Sequence, residues 1–365
     1  MRFLNIDKPL ALIIALLVAS GVFVFVSAAF GLVARGGGHI SSVVFSHLVM
    51  GLGLGTVALF ITMTVDYKNW RSLSPYLFGA AIIATALVFV PGLGFEHGGG
   101  RRWIDLGFGT LQPSETLKIA VVLILAALFA TMREESASWR GLGGFAAVML
   151  VPAALLIAQP DIGTLGIVFL SGFGVFIAAG ARWQQIGAIV LGGLLMLATL
   201  IALRPYMLDR VLTFLDPAAN QHAEGYQIKQ SLIAIGSGGF WGRGFGQSVQ
   251  KFTYLPEPMG DSIFAVAAEE TGFIGATLLI VGFLFLALRG FHVAAHAPDM
   301  FGALVAVGIS VYFVSEAFIN IASMLSLAPL TGIPLTFISQ GGSAMLVSLG
   351  SAGILLNISR TKVKK

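Results

Sequence analysis

The side chains that could do chemistry in this chain are a short set of charges scattered through apolar sequence. Glu115 and Lys118 stand three apart, so on a helix they share one face. Asp161 follows Gln159-Pro160, Asp261 follows Met259-Gly260, Glu269 and Glu270 are adjacent, and Glu316 stands alone in an apolar stretch. Arg101, Arg102, Arg210, Lys229, Arg243 and Lys251 supply positive charge. Arg and Lys gathered about a carboxylate suit a phosphorylated, anionic, lipid-linked substrate together with one acid or base. Other chemistries lack their parts. Cysteine is absent, which excludes disulfides, zinc thiolates and a Cys nucleophile. Neither a Gly-x-Ser-x-Gly elbow nor a His-Glu-x-x-His motif occurs. His292 and His296 have metal-ligand spacing but no third ligand nearby. Gly242-Arg243-Gly244-Phe245-Gly246 does not lie between a strand and a helix, as a nucleotide loop would.

The elements that must position these groups follow from composition. Of 365 residues, 57% are hydrophobic and only 10% charged, whereas a soluble domain carries about 25% charged residues. Mean hydropathy is +0.92. The apolar content suffices for about ten spans of ~20 residues each, which excludes a soluble Rossmann enzyme, a nucleic-acid binder and a disordered scaffold. The expected fold is an all-α polytopic membrane protein, one transmembrane domain over 1–365. Spans are predicted at 10–34, 43–65, 75–93, 113–131, 142–158, 162–180, 183–203, 263–289, 300–328 and 341–358. The first is too long for a signal-peptide core. Gly51 and Gly55 have the small-xxx-small spacing of close helix contact.

Ten spans put both termini on one side, and the positive-inside rule makes that side cytoplasmic. The inside set is Arg2, Lys8, Lys68, Arg71, Arg133, Arg140, Arg182, Arg289, Arg360, Lys362, Lys364 and Lys365, against Arg35, Arg101 and Arg102 in the short outside loops. Residues 204–262 then form one long extracytoplasmic loop, and a loop of that length is usually functional. Pro205, Pro217, Pro256 and Pro258 stiffen it, and 225–235 predicts a short interfacial helix.

Ionisable groups at membrane depth cost about 2.5–3.5 kcal/mol each, so each needs a reason. Glu115 and Lys118 form either a neutralising pair or part of a substrate site. Asp161, between two short spans, is expected where broken backbone lines a cavity. Glu269 and Glu270 read as stabilisers of a helix N-terminus, and Glu316 as a lone carboxyl, protonated or hydrogen-bonded. Asp261 also fits the N-cap of the eighth span. Arg101, Arg102, Glu115, Lys118, Asp161, Arg210, Lys229, Arg243, Lys251 and Asp261 gather near the outer boundary rather than at the midplane, where an ion-coupled transporter would place its carboxylates.

Several stretches, in order from about 100 to 360, resemble the SEDS family (shape, elongation, division and sporulation). They are Gly100-Arg101-Arg102-Trp103-Ile104-Asp105-Leu106-Gly107, Gln112-Pro113-Ser114-Glu115 with Lys118, and Gln159-Pro160-Asp161-Ile162-Gly163-Thr164. Gln230 to Gly239 follows, with Gly242, Gly244 and Gly246, then Leu255-Pro256-Glu257, Asp261, and Glu269-Glu270-x-Gly272. Gly332-Ile333-Pro334-Leu335, Phe337-Ile338-Ser339, Gly341-Gly342-Ser343 and Leu355 to Arg360 complete the set. Ser248-Val249-Gln250-Lys251 and Tyr254-Leu255-Pro256-Glu257 resemble the FtsW branch more than the RodA branch.

The resemblance implies a bacterial inner-membrane peptidoglycan glycosyltransferase that polymerises lipid II into glycan strands, with undecaprenyl pyrophosphate leaving. It places the family's essential carboxylate on Asp261, as general base on the acceptor sugar hydroxyl. Arg101, Arg102, Lys118, Arg210 and Lys251 become candidates to steady the pyrophosphate, Glu115 and Lys118 the family's buried ion pair, and Asp161 its second cavity acid. Glu257, Ser339 and Gly341 join the substrate-binding set. A divalent cation (Mg or Mn) could bridge the pyrophosphate, although no ligand set demands one. A class B penicillin-binding transpeptidase, other divisome membrane proteins and septal synthesis in cell division are the implied setting. Two departures stand out. The family's usual His-Thr before the Asp and Phe after it are here Met259-Gly260 and Ser262, and its common Tyr is Gln340. A lipid II flippase or a non-catalytic divisome scaffold are the rival readings, and neither needs a base at Asp261.

Overall fold

Long runs of Leu, Ile, Val, Ala and Phe satisfy their own backbone groups as helices, the form lipid requires. The computed structural model describes residues 6–34, 43–97, 100–105, 109–216 and 224–360. Arg2, Arg35, Leu106, Gly107, Pro217, Lys362, Lys364 and Lys365 lie outside the described residues. Thirteen α-helices are present among the described residues: α1 (Lys8–Ala34), α2 (Phe45–Thr64), α3 (Tyr67–Leu87), α4 (Pro113–Met132), α5 (Trp139–Ala158), α6 (Ile162–Ala178), α7 (Trp183–Leu203), α8 (Pro205–Leu215), α9 (Glu224–Ser237), α10 (Gln250–Thr253), α11 (Ile263–Ala295), α12 (Met300–Met324) and α13 (Gly342–Arg360). Eight of these are long and apolar enough to cross a membrane. The chain is a polytopic membrane protein.

Each predicted span corresponds to one helix, with instructive shifts. The third begins at Tyr67 instead of 75, because Asp66 caps it by accepting from Lys68 N at 3.0 Å. Lys68 and Arg71 in its first turns kept that stretch out of any apolar window. The residues after Leu87 turn into a feature the all-α expectation lacked, a three-stranded antiparallel sheet of β1 (Gly94–His97), β2 (Gly100–Asp105) and β3 (Thr110–Leu111) in the order β1-β2-β3. The long loop is structured: α9 spans the predicted 225–235 helix, flanked by α8 and α10.

A continuous core of buried apolar side chains runs from Leu10 to Ile358. α13 lies against α2, α11 against α12, α3 against α4, and α12 against α6. Gly51 and Gly55 permit the α2–α13 approach, since a Cβ on Gly55 would lie 2.8 Å from Leu349. The first half of α2, Phe45–Gly53, is wound as a π-helix. α11 is broken at Gly272, whose φ of 67° suits only glycine. The break frees backbone groups that the 239–244 segment takes up: Arg243 N and Gly244 N donate to Glu269 O and Glu270 O, both at 3.0 Å, and Phe273 N donates to Gly239 O at 2.9 Å.

Candidate active site

Segments distant in sequence meet at one cavity of about 470 Å³. Its wall includes Arg102 from β2, Gln112 and Glu115 at the start of α4, Asp161 and Thr164 at the α5–α6 junction, and Arg210 from α8. Glu257, Gly260 and Asp261 come from the segment before α11, and Gly332, Pro334 and Gln340 to Ala344 from the segment leading into α13. Of the side chains expected in the site, Arg102, Glu115, Asp161, Arg210, Glu257, Asp261 and Gly341 share this wall.

Asp261 is half-buried at the wall. No described residue donates a hydrogen bond to its carboxylate, and the cap of α11 is Ser262, without a side-chain bond. The N-cap reading of Asp261 therefore does not hold. Burial first, then the neighbouring Glu257 carboxylate, push Asp261 up to about 6, while Arg210 and Arg102 pull it back. A carboxylate with that affinity for protons, facing open space, can accept one from a hydroxyl near neutral pH. Its backbone is held from behind. Ser339 Oγ donates to Gly260 O at 2.8 Å and accepts from Leu335 N at 2.7 Å, and Gln340 N donates to Met259 O at 2.7 Å. Gly332, at φ 67°, passes so close that a Cβ there would lie 3.5 Å from the Asp261 carboxylate.

Asp161 does two things. One oxygen accepts from Thr164 N at 3.2 Å and starts α6, and the other accepts from Gln112 Nε2 at 3.4 Å. Gln112 N in turn donates to Ser343 Oγ at 3.2 Å, which joins the start of α4 to the start of α13. Arg102 reaches across to the α5–α6 turn and donates to Pro160 O at 2.5 Å.

Four expected site residues are placed elsewhere. Arg101 points the other way along the strand, as successive strand residues do, and pairs with Glu96 at 3.4 Å. Lys118 lies behind the cavity, buried between Glu115 at 2.9 Å and Glu316 at 2.6 Å. Glu316 is thus not a lone carboxyl but the second acid of a triad, and it also accepts from Thr336 Oγ1 at 2.8 Å. Lys251 is fully buried against Glu270 and Ser27, with its Nζ 2.7 Å from Ser27 Oγ. Ser339 serves the backbone bonds above. Glu269 and Glu270 sit well inside α11 rather than at its N-terminus. Glu269 instead accepts from Ser248 Oγ at 2.6 Å and Val249 N at 3.0 Å, holding the start of α10. Gln112, Thr164 and Ser343 are site residues that a search for charge passes over.

A bundle of apolar helices around a polar cavity that brings Asp261 together with Arg102 and Arg210 has the form of a membrane enzyme site. The chain belongs to the FtsW, RodA and SpoVE family, whose model, described as cell cycle protein, matches residues 8–364. It is 41% identical over 310 residues to stage V sporulation protein E of Bacillus subtilis, covering 84% of each chain. It is 37% identical over 309 residues to a probable peptidoglycan glycosyltransferase FtsW of a Geobacter species, again 84% of each. Among solved structures it resembles a chain in a peptidoglycan synthase complex that coordinates polymerization and crosslinking, with a TM-score of 0.81, 27% identity and coverage of 99% and 100%. Thermus thermophilus RodA superposes with a TM-score of 0.72 at 26% identity, covering all of both chains.

Proposed function

We propose that this chain is a peptidoglycan glycosyltransferase that polymerises lipid II, with Asp261 as the general base. The observation that carries the reading is the Asp261 carboxylate, raised to about 6 and open to a cavity that also holds Arg102 and Arg210. The acceptor sugar hydroxyl binds against Asp261, which removes its proton as the oxygen attacks the anomeric carbon of the lipid-linked donor. A new glycosidic C–O bond forms, the bond from the anomeric carbon to the diphosphate breaks, and undecaprenyl diphosphate leaves with the electron pair. The proton on Asp261 passes to solvent. Arg102 and Arg210 oppose the charge that develops on the leaving oxygen, and Asp161 with Gln112 shapes the opposite wall.

A divalent cation (Mg or Mn) is proposed only as a companion of the diphosphate. Among the described residues no three acidic or histidine side chains converge to build a site for it, at His292 and His296 or elsewhere. The steps above use this chain's own side chains alone. The positive-inside distribution of Lys and Arg supports an orientation with both termini cytoplasmic and the cavity at the outer face of the bacterial inner membrane. The FtsW relatives and the synthase-complex neighbour support a septal role beside a class B penicillin-binding protein and other divisome membrane proteins. The test is product chemistry: purified protein with lipid II should release one undecaprenyl diphosphate per glycosidic bond formed. Lipid II moved across a bilayer with no diphosphate released would favour the flippase reading.

A further inference from the structure

Asn320 is a buried, uncharged polar side chain in the apolar helix α12. Its amide nitrogen donates to two backbone carbonyls from different segments, Asp261 O at 2.9 Å and Ile333 O at 2.7 Å. Two carbonyl acceptors fix which end of the amide faces them, since a flipped oxygen would meet oxygen. The amide's own oxygen is buried and has no partner. An apolar side chain of the same size would avoid that unmet acceptor, so the position is poorly suited to helix packing alone. What Asn uniquely provides there is a pair of donors on one rigid plane.

Those donors join the two segments that meet at the base. Asp261 stands on one, and Gly332, whose backbone passes beside the Asp261 carboxylate, stands on the other. Ser339 and Gln340 clasp residues 259 and 260 from the far side, but Asn320 alone grips the carbonyl of residue 261 among the described residues. We infer that Asn320 is a positioning residue for the transfer reaction: it sets the backbone of Asp261 against the 332–335 segment so that the carboxylate faces the acceptor hydroxyl. The inference rests on the reading of Asp261 as the base. Misplacing a reacting group by about 1 Å can cost about a hundredfold in rate, and a remote grip of this kind acts on kcat rather than on substrate capture.

The experiment measures initial rates of labelled lipid II polymerisation by the full chain with its class B penicillin-binding protein. The variants are Asp261→Ala, Asn320→Leu, Asn320→Ser and Ser323→Ala. Ser323 is the control, one turn along the same helix face, since its hydroxyl donates to Pro329 O at 3.0 Å and holds the loop after α12 without touching residue 261. Asn320→Leu removes both donors, and its expected effect is a fall in kcat of about a hundredfold with KM for lipid II within twofold. Asn320→Ser keeps one shorter donor, with a fall of about tenfold expected and Ser323→Ala within twofold of wild type. Where Asn320→Leu does not yield monodisperse protein, Asn320→Ser decides. Either Asn320 variant at the wild-type kcat overturns the inference, as does an equal loss in Ser323→Ala. An active Asp261→Ala overturns the underlying reading instead, whatever the Asn320 variants do.

Discussion

The pH dependence of polymerisation is set by the surroundings of Asp261. With its carboxyl raised to about 6, the base form is half populated near that pH, about nine-tenths populated one pH unit above and about one-tenth one unit below. The rate should therefore fall about tenfold between pH 7 and pH 5, with unit slope at the acid end. The neighbour effects have definite signs. Glu257→Gln removes a like charge that raises Asp261, so the midpoint should move to lower pH, remaining above the ordinary carboxyl value of 3.8 because burial, the larger cause, is unchanged. Arg210→Gln removes an opposing cation, so the midpoint should move up. The assay is the initial rate of polymer formation from pH 4.5 to 8.5 in one detergent, with thermal unfolding recorded at each pH. A profile flat from pH 5 to 8 while the protein stays folded would refute the reasoning, and so would Glu257→Gln moving the midpoint upward.

Further consequences follow from the same geometry. A carboxyl raised in the folded state contributes stability below its unfolded value that is lost as pH rises through about 6, so Asp261→Asn should be inactive yet more heat-stable than wild type at pH 7.5, by at most about 3 kcal/mol. Differential scanning of both proteins checks this. Lys118→Met strands two buried carboxylates and should destabilise by about 3–5 kcal/mol, whereas the triple change with Glu115→Gln and Glu316→Gln should recover most of the loss, read as unfolding temperature. Gly332→Ala forces a side chain into φ 67° beside the base, and should cost about 1 kcal/mol of stability and a measurable part of kcat.

The long helices were legible because each contains an apolar run, and Asp161 and the Glu115–Lys118 pair were legible because charge is rare in such runs, whereas Asp261, in the charged 204–262 loop, stood out only through the family resemblance. Partners contributed by another helix were not. Nothing near Glu316 in sequence points to Lys118, and Lys251 is written among loop residues although it is enclosed with Glu270 and Ser27. Arg101 and Arg102 look equivalent in sequence and diverge only because the segment is a strand, with Arg101 turned to Glu96 and Arg102 to the cavity. The sheet itself was hidden in a glycine-rich stretch with little alternation of apolar residues. Asn320 carries no charge and breaks no apolar window, so its grip on residue 261 appears only once α12 lies beside the start of α11.

The central claim is that Asp261 carries the chemistry, and the most direct measurement compares glycan polymer made from labelled lipid II by wild type and by a folded Asp261→Ala, each with the class B penicillin-binding protein. The prediction is polymer from wild type and none from the variant. Polymer from Asp261→Ala at the wild-type rate, or none from either protein with the partner present, would contradict it.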